Sequence, residues 1–90
     1  MRNLQFKNSF KKDLKKVVKR RLPVALLTAV VTQLREDLPL APARRDHNLQ
    51  GDWQGWRECH IQPDWLLIYR REGDDELWLA RTGTHSDLFD

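Results

Sequence analysis

The 90-residue chain lacks the features that mark several large protein classes. Its single cysteine, Cys59, cannot form an internal disulfide, so a reducing compartment, the cytoplasm, is expected. No run of about 18 apolar residues occurs, which argues against a membrane-spanning helix and any membrane partner. The start, Met1-Arg-Asn-Leu-Gln-Phe6, has no long apolar core of the kind a secretory signal carries. There is no His-Glu-x-x-His, no cysteine pair and no carboxylate cluster, so the usual metal-ligand spacings are missing. No metal or other cofactor is expected. A site shared by His47, His60 and His85 is the one metal arrangement left open. A glycine-rich phosphate loop and a Ser-His-Asp signature are also absent, which speaks against nucleotide hydrolysis and serine-type acyl transfer.

What is present divides into two halves. Residues 1–21 hold nine Lys or Arg against Asp13 alone, whereas residues 22–90 hold seven Arg against twelve Asp or Glu. The basic segment is a candidate footprint for nucleic acid, or simply a solvated helix face. Leu4 and Phe6 alternate with polar neighbours, which predicts a short strand over residues 2–6. Phe6, Phe10, Leu14, Val17 and Val18 then recur at helical steps, with Asn8 or Ser9 as cap and Lys11, Lys12, Lys15, Lys16 and Lys19 on the remaining surface. Pro23 suits the first turn of a second helix, whose stripe Val24, Leu27, Val31, Leu34, Leu38 stops at Pro39. No glycine occurs before Gly51, as a helical first half requires. Residues 39–55 form a long charged loop carrying His47, and long ordered loops often carry function.

Strand periods follow. Arg57–Ile61 alternates, Pro63-Asp64 turns, and Trp65–Tyr69 is a continuous apolar run suited to a strand buried on both faces. Gly73-Asp-Asp makes a hairpin, Leu77–Thr82 is the next strand, and Ser86–Phe89 is a short terminal element. The expected fold class is α+β: one small domain, residues 1–90, with an N-terminal strand and a two-helix hairpin packed on an antiparallel sheet. Alternation puts Glu58 and His60 on one face, and puts Leu77, Leu79 and Arg81 together. The polar members of the uncovered face, His60, Asp64, Arg81 and His85, would form a groove, with the His47 loop folded over it. Three imidazoles, a carboxylate and arginines suit proton transfer on a phosphodiester at neutral pH. Each also has a plainer reading: a hydrogen-bonded structural histidine, a turn-forming aspartate, a packed tryptophan. Phe89 offers a ring on which a base can stack, or a plug for the core. Cys59 reads as core.

The ordered set His47-x-Leu49-x-Gly51-x-Trp53-x-Gly55-x-Arg57-Glu58-x-His60-Ile61-x-Pro63-Asp64-Trp65-Leu-Leu-Ile-Tyr69, with Leu79-x-Arg81-Thr-Gly-Thr-His85-Ser-Asp-Leu-Phe89, resembles the YafQ branch of the RelE/ParE toxin superfamily. The close match covers about half the chain. The resemblance implies the RelE-like microbial RNase fold and the toxin half of a type II toxin–antitoxin pair. It further implies an endoribonuclease that enters the ribosomal A site and cuts mRNA without a metal. The family's functional positions fall on His47, His60, Asp64, Trp65, Arg81, His85 and Phe89. The implied partners are the ribosome with its rRNA and mRNA, and an antitoxin whose DNA-binding domain lets the complex reach operator DNA. On this reading His85 is the general acid, Asp64 or His60 the base, and His47 an aid to proton transfer or phosphate holding. Arg81 steadies the transition state, Phe89 and Trp65 position bases, and the five lysines grip rRNA phosphates. Two other classes compete: a non-catalytic gyrase inhibitor of the ParE type, which needs no acid–base set, and a basic RNA-binding module, which would tolerate loss of His85.

Overall fold

The computed structural model describes residues 1–89. Strand β1 (Asn3–Phe6) leads into helices α1 (Asn8–Lys19) and α2 (Val24–Arg35). Strands β2 (His47–Asn48), β3 (Arg57–Gln62), β4 (Trp65–Glu72) and β5 (Glu76–Gly83) follow, and helix α3 (His85–Phe89) ends the described chain. The five strands form one sheet in the order β1-β5-β4-β3-β2. The β2–β3, β3–β4 and β4–β5 pairs are antiparallel. The first strand joins the sheet edge in parallel with β5, matching Leu4 to Leu77 and Phe6 to Leu79. Two-residue β2 lies inside the segment expected to be all loop; its pairing of His47 with Glu58 fixes that histidine to the sheet.

The helix ends differ from expectation in instructive ways. Neither Asn8 nor Ser9 caps α1. Lys7 holds the cap position without a side-chain bond, and the Ser9 hydroxyl donates instead to the Ala80 carbonyl at 2.7 Å. Val18 is exposed, so the buried face of α1 is Phe10, Asp13 and Val17. Helix α2 stops at Arg35 rather than near Pro39. Asp37 takes a left-handed conformation (φ 56°), and Leu38 beyond it is exposed.

The sheet has two unlike faces. On one, Phe10, Val17, Leu27, Val30 and Leu34 from the helices pack against Cys59, Ile61, Trp65, Leu67, Tyr69, Leu77 and Leu79. Burial of each such aliphatic side chain contributes about 1.5–3 kcal/mol. The other face carries a smaller cluster, Trp56, Leu66, Ile68, Ala80 and Leu88, and beside it lie the buried polar residues Glu58 and His60. Strand β4 therefore is buried on both sides, as its unbroken apolar run predicts.

Candidate active site

Alternation along β3 sends Cys59 and Ile61 to the helix-covered face and Glu58 and His60 to the open one. Cross-strand partners share a face, so register extends this placement across the sheet. One row runs His47, Glu58, Ile68, Arg81; the next runs His60, Leu66, Gly83. Glu58 is only 4% exposed, with His47 Nε2 3.5 Å and His60 Nε2 3.9 Å from its Oε1. Both imidazoles are anchored from behind: His47 Nδ1 lies 2.6 Å from the Arg45 carbonyl and His60 Nδ1 lies 3.1 Å from the Pro63 carbonyl. A carbonyl oxygen only accepts, so each ring donates from Nδ1 and turns Nε2 toward Glu58 and the groove.

Arg81 reaches this face through a break in register. Tyr69 pairs with Leu79, but the next residue of β4, Ile68, pairs with Arg81, leaving Ala80 as the extra residue of a bulge. Simple alternation groups Arg81 with Leu77 and Leu79. The bulge corrects that expectation: those leucines stay in the helix-side core, and Arg81 falls in the row of Glu58. Its guanidinium donates from Nε and Nη2 to the two carboxylate oxygens of Asp13 at 2.6 and 3.1 Å, and from Nη2 to the Asp87 carbonyl. The bond to Asp13, set against the cost of partial burial, holds Arg81 firmly in its charged form. Asp13 is itself buried and also accepts from the Thr82 amide. Nη1 of Arg81 has no partner among the described residues, which leaves one edge of the fork open.

The turn from β5 into α3 depends on Gly83. Its φ is 154°, and a Cβ there would meet Asp87 Oδ2 at 2.8 Å. Thr84 and Asp87 then exchange bonds: the Asp87 amide donates to Thr84 Oγ1, and the Thr84 amide donates to Asp87 Oδ2. This reciprocal box fixes the start of a five-residue helix that would not persist alone. Arg20 at the end of α1 adds a bidentate pair to Asp87. That pairing, with the Thr84 amide, holds the Asp87 carboxyl well below the usual carboxylate range. His85 is the first residue of the helix. Its amide and its ring Nδ1 both lie 3.0 Å from Asp64 Oδ1. These two donors hold the Asp64 carboxyl below its ordinary value. Asp64 is thereby a weak base and a strong acceptor, and it leaves His85 Nε2 as the free ring nitrogen. The His85 ring is 5.9 Å from that of His60 and 6.2 Å from that of Phe89, which is nearly half exposed.

The structure thus gathers His47, His60, Asp64, Arg81, His85 and Phe89 onto one side of the sheet. Trp65 departs from the base-positioning role that the resemblance implies and follows the plainer reading of a packed tryptophan. It is 2% exposed in the helix-side core and its indole donates to Thr82 Oγ1, so neither ring face is open to a base. As the first residue of a strand buried on both sides, it had no surface position available. Lys11, Lys12, Lys15, Lys16 and Lys19 are all exposed, and among the described residues their side chains make no hydrogen bond or ion pair. Cys59 is core, and burial pushes its thiol up to about 12. Sequence reasoning passed over three acids. Glu58 was visible as the face-mate of His60. Asp87 was visible as the fourth residue of Thr84-x-x-Asp87. Asp13 gave no local signal, because its partner lies 68 residues away. Among the described residues no group of three or more His, Cys, Asp or Glu is arranged to hold a metal.

A small α+β domain with imidazoles, carboxylates and a tethered arginine on the open face of its sheet defines a class: a compact protein whose open face carries groups suited to proton transfer. Comparison with known proteins narrows this. The family model for YafQ, the bacterial toxin of a type II toxin–antitoxin system, matches residues 2–90, and the chain belongs to that family. It is 40% identical over 89 residues to the mRNA interferase toxin YafQ of Escherichia coli K12, spanning 98% of this chain and 96% of that one. Among solved structures it is similar to a copper-bound mutant toxin from Helicobacter pylori (TM-score 0.93, 44% identity, 99% and 100% of the two chains). It is also similar to the toxin of the E. coli DinJ–YafQ complex (TM-score 0.88, 40% identity, 100% of each chain). The chain is accordingly a toxin of the type II class and an mRNA interferase.

Proposed function

We propose that this toxin cuts mRNA in the ribosomal A site by proton transfer alone, without a catalytic metal. The observation that carries the reading is the pair His60 and His85, whose ring centroids lie 5.9 Å apart, each anchored through Nδ1, with His60 Nε2 turned toward Glu58 and His85 Nε2 free. A ribose phosphodiester between them meets a base on one side and an acid on the other. His60, backed by Glu58, removes the proton from the ribose 2′-OH, whose oxygen attacks the adjacent phosphorus. His85 Nε2 protonates the departing 5′-oxygen, giving a 2′,3′-cyclic phosphate and a 5′-OH. Asp64 acts here as the group that orients His85 rather than as the base, because its depressed pKa makes it a poor proton acceptor. The free edge of Arg81 stabilises charge building on the phosphoryl oxygens. His47 assists through Glu58, and Phe89 stacks a base. The unpaired lysines of α1 bind rRNA phosphates, which gives affinity without sequence choice.

A toxin of this kind works in the cytoplasm under the control of an antitoxin. The E. coli relative is seen in complex with DinJ. Here the corresponding partner covers the toxin and carries the DNA-binding domain through which the complex represses its operon. The decisive experiment expresses the chain with and without His85→Gln and maps mRNA 5′ ends. In-frame cuts on translated messages that vanish in the variant support the reading. Intact messages with DNA damage would replace it with gyrase inhibition. Loss of cleavage on adding EDTA to a purified reaction with preassembled ribosomes, beyond the effect on the ribosomes themselves, would reinstate a metal.

A further inference from the structure

Beside His60 lies a cleft of about 420 Å³, between the 3-10 turn Pro42–Arg44 and the β3–β4 turn. Its lining includes Arg44, Arg45, His60, Ile61, Gln62 and Pro63. We propose that this cleft is a nucleotide subsite for the single-stranded RNA residue next to the cut, with Arg45 on its phosphate and Gln62 at its base edge. The inference rests on the ribonuclease reading above and specifies where its substrate extends.

Several observations converge. The cleft shares a wall with the reaction site, since His60 belongs to both. A strand with its scissile phosphate between His60 and His85 therefore has its neighbouring nucleotide within reach. Two arginines are among the lining residues and no Asp or Glu is, which favours a polyanion. Arg45 is exposed and forms no ion pair among the described residues, whereas the Arg44 guanidinium is fixed by donating from Nη1 to the Ile61 carbonyl at 2.5 Å. A planar cation fixed to the Ile61 carbonyl is a platform on which any base can stack. Arg45 also holds a left-handed conformation (φ 48°), which a non-glycine residue adopts only where its surroundings require it. That turn points its carbonyl at His47 Nδ1, so the residue that lines the cleft also orients an imidazole of the site. Gln62 offers an amide that both donates and accepts, as base-edge reading needs. The volume is in the range of small-molecule sites. An acidic protein segment would also meet two arginines, but it would have no use for the continuity with His60.

The test uses a single-stranded RNA oligonucleotide 2′-O-methylated at every ribose, which binds without supplying the attacking hydroxyl. Its affinity for the purified toxin is read by fluorescence anisotropy across a salt series. Arg45→Ala should weaken binding by roughly tenfold and flatten the salt slope by about 0.7, the value for one lost single-strand phosphate contact. Arg45→Lys should recover most of both. Because Arg45 is exposed, these variants keep the Arg44–Ile61 bond and should keep the melting temperature. In ribosome reactions Arg45→Ala should raise KM while kcat stays within about threefold. Gln62→Ala should change the nucleotide preference at one position beside the cut and leave the preference at the others. Unchanged affinity, salt slope and cut-site preference would overturn the subsite. So would unchanged RNA binding with weakened antitoxin binding, which would give the cleft to the protein partner. Arginine-dependent RNA binding in a wild-type toxin that cuts nothing would uphold the cleft and sink the nuclease reading, so the two failures are separable.

Discussion

The two sides of the site are held by opposite means. On the C-terminal side, His85 stands on a five-residue helix built from local bonds: the Gly83 turn, the Thr84–Asp87 exchange and the Asp64 acceptor. On the other side, His60 sits within β3, paired with Leu66 of the central strand, and His47 is pinned by a long-range polar clamp. The Tyr69 hydroxyl donates to Asp46 at 2.5 Å, and Arg57 donates to Asp46 and to Asn48 Oδ1. The side chain of His85 is 57% exposed and that of His60 only 10%. One imidazole is set by the core and the other is presented on a tether. In the proposed mechanism the group that protonates the leaving oxygen is thus the more exposed of the two.

That contrast can be broken by paired substitutions. The largest expected effect is on rate: His85→Gln should lower cleavage by roughly 10²–10⁴-fold with little change in melting temperature. His60→Gln should lower the rate comparably and also destabilise the fold by about 1 kcal/mol, since it removes the buried bond to the Pro63 carbonyl. Equal stability losses in calorimetry would contradict the contrast. Next comes Asp13→Asn, which withdraws a charge from a largely buried pair with Arg81. It should cost about 1–3 kcal/mol in chemical denaturation and reduce kcat more than it changes KM, because Arg81 loses its fixed position. Tyr69→Phe tests the clamp. A loss of about 1 kcal/mol with activity reduced only a few-fold is expected, as the proposed role of His47 is to assist rather than react.

The smallest effect is on pH dependence. Asp87 ionises more easily folded than unfolded, so the unfolded chain binds protons first as pH falls. The stabilisation is complete above the ordinary carboxylate pKa of about 3.9 and drains away as pH drops toward the lower folded value. Asp87→Asn should therefore flatten the acid limb of a melting-temperature profile below about pH 4 and leave the neutral region similar in shape. An unaltered acid limb would mean that the Arg20 pair does little to hold α3.

Much of this arrangement was legible in the sequence where local chemistry controls it. The period-two pattern of β3 placed Glu58 and His60 on one face, and the apolar run of β4 placed that strand in the middle. The terminal element fell where Gly83 breaks the strand. What escaped was set by contacts between distant segments. The position of Ala80 in a bulge depends on how β4 and β5 pair, which alternation within β5 cannot report. The role of Asp13 depends on α1 lying along the free edge of β5, where Ser9 and Asp13 bond to Ala80 and Thr82. The burial of Trp65, by contrast, was legible, since it opens the apolar run of β4; only the resemblance gave it a place in the site.

The skipped rung at Ala80 has a consequence for how such enzymes can diverge. Inserting one residue between Ile68 and Tyr69, opposite the bulge, would give Ala80 a partner, restore an unbroken ladder and swing the guanidinium through the sheet to the face of Leu79, beneath the helices. The same stroke would strip the open side of its cation and put an unneutralised charge among leucines. A single-codon gain there should thus be far more damaging than an exchange of side chain at Ala80, and relatives of altered activity are better sought in the spacing of these strands than in their letters.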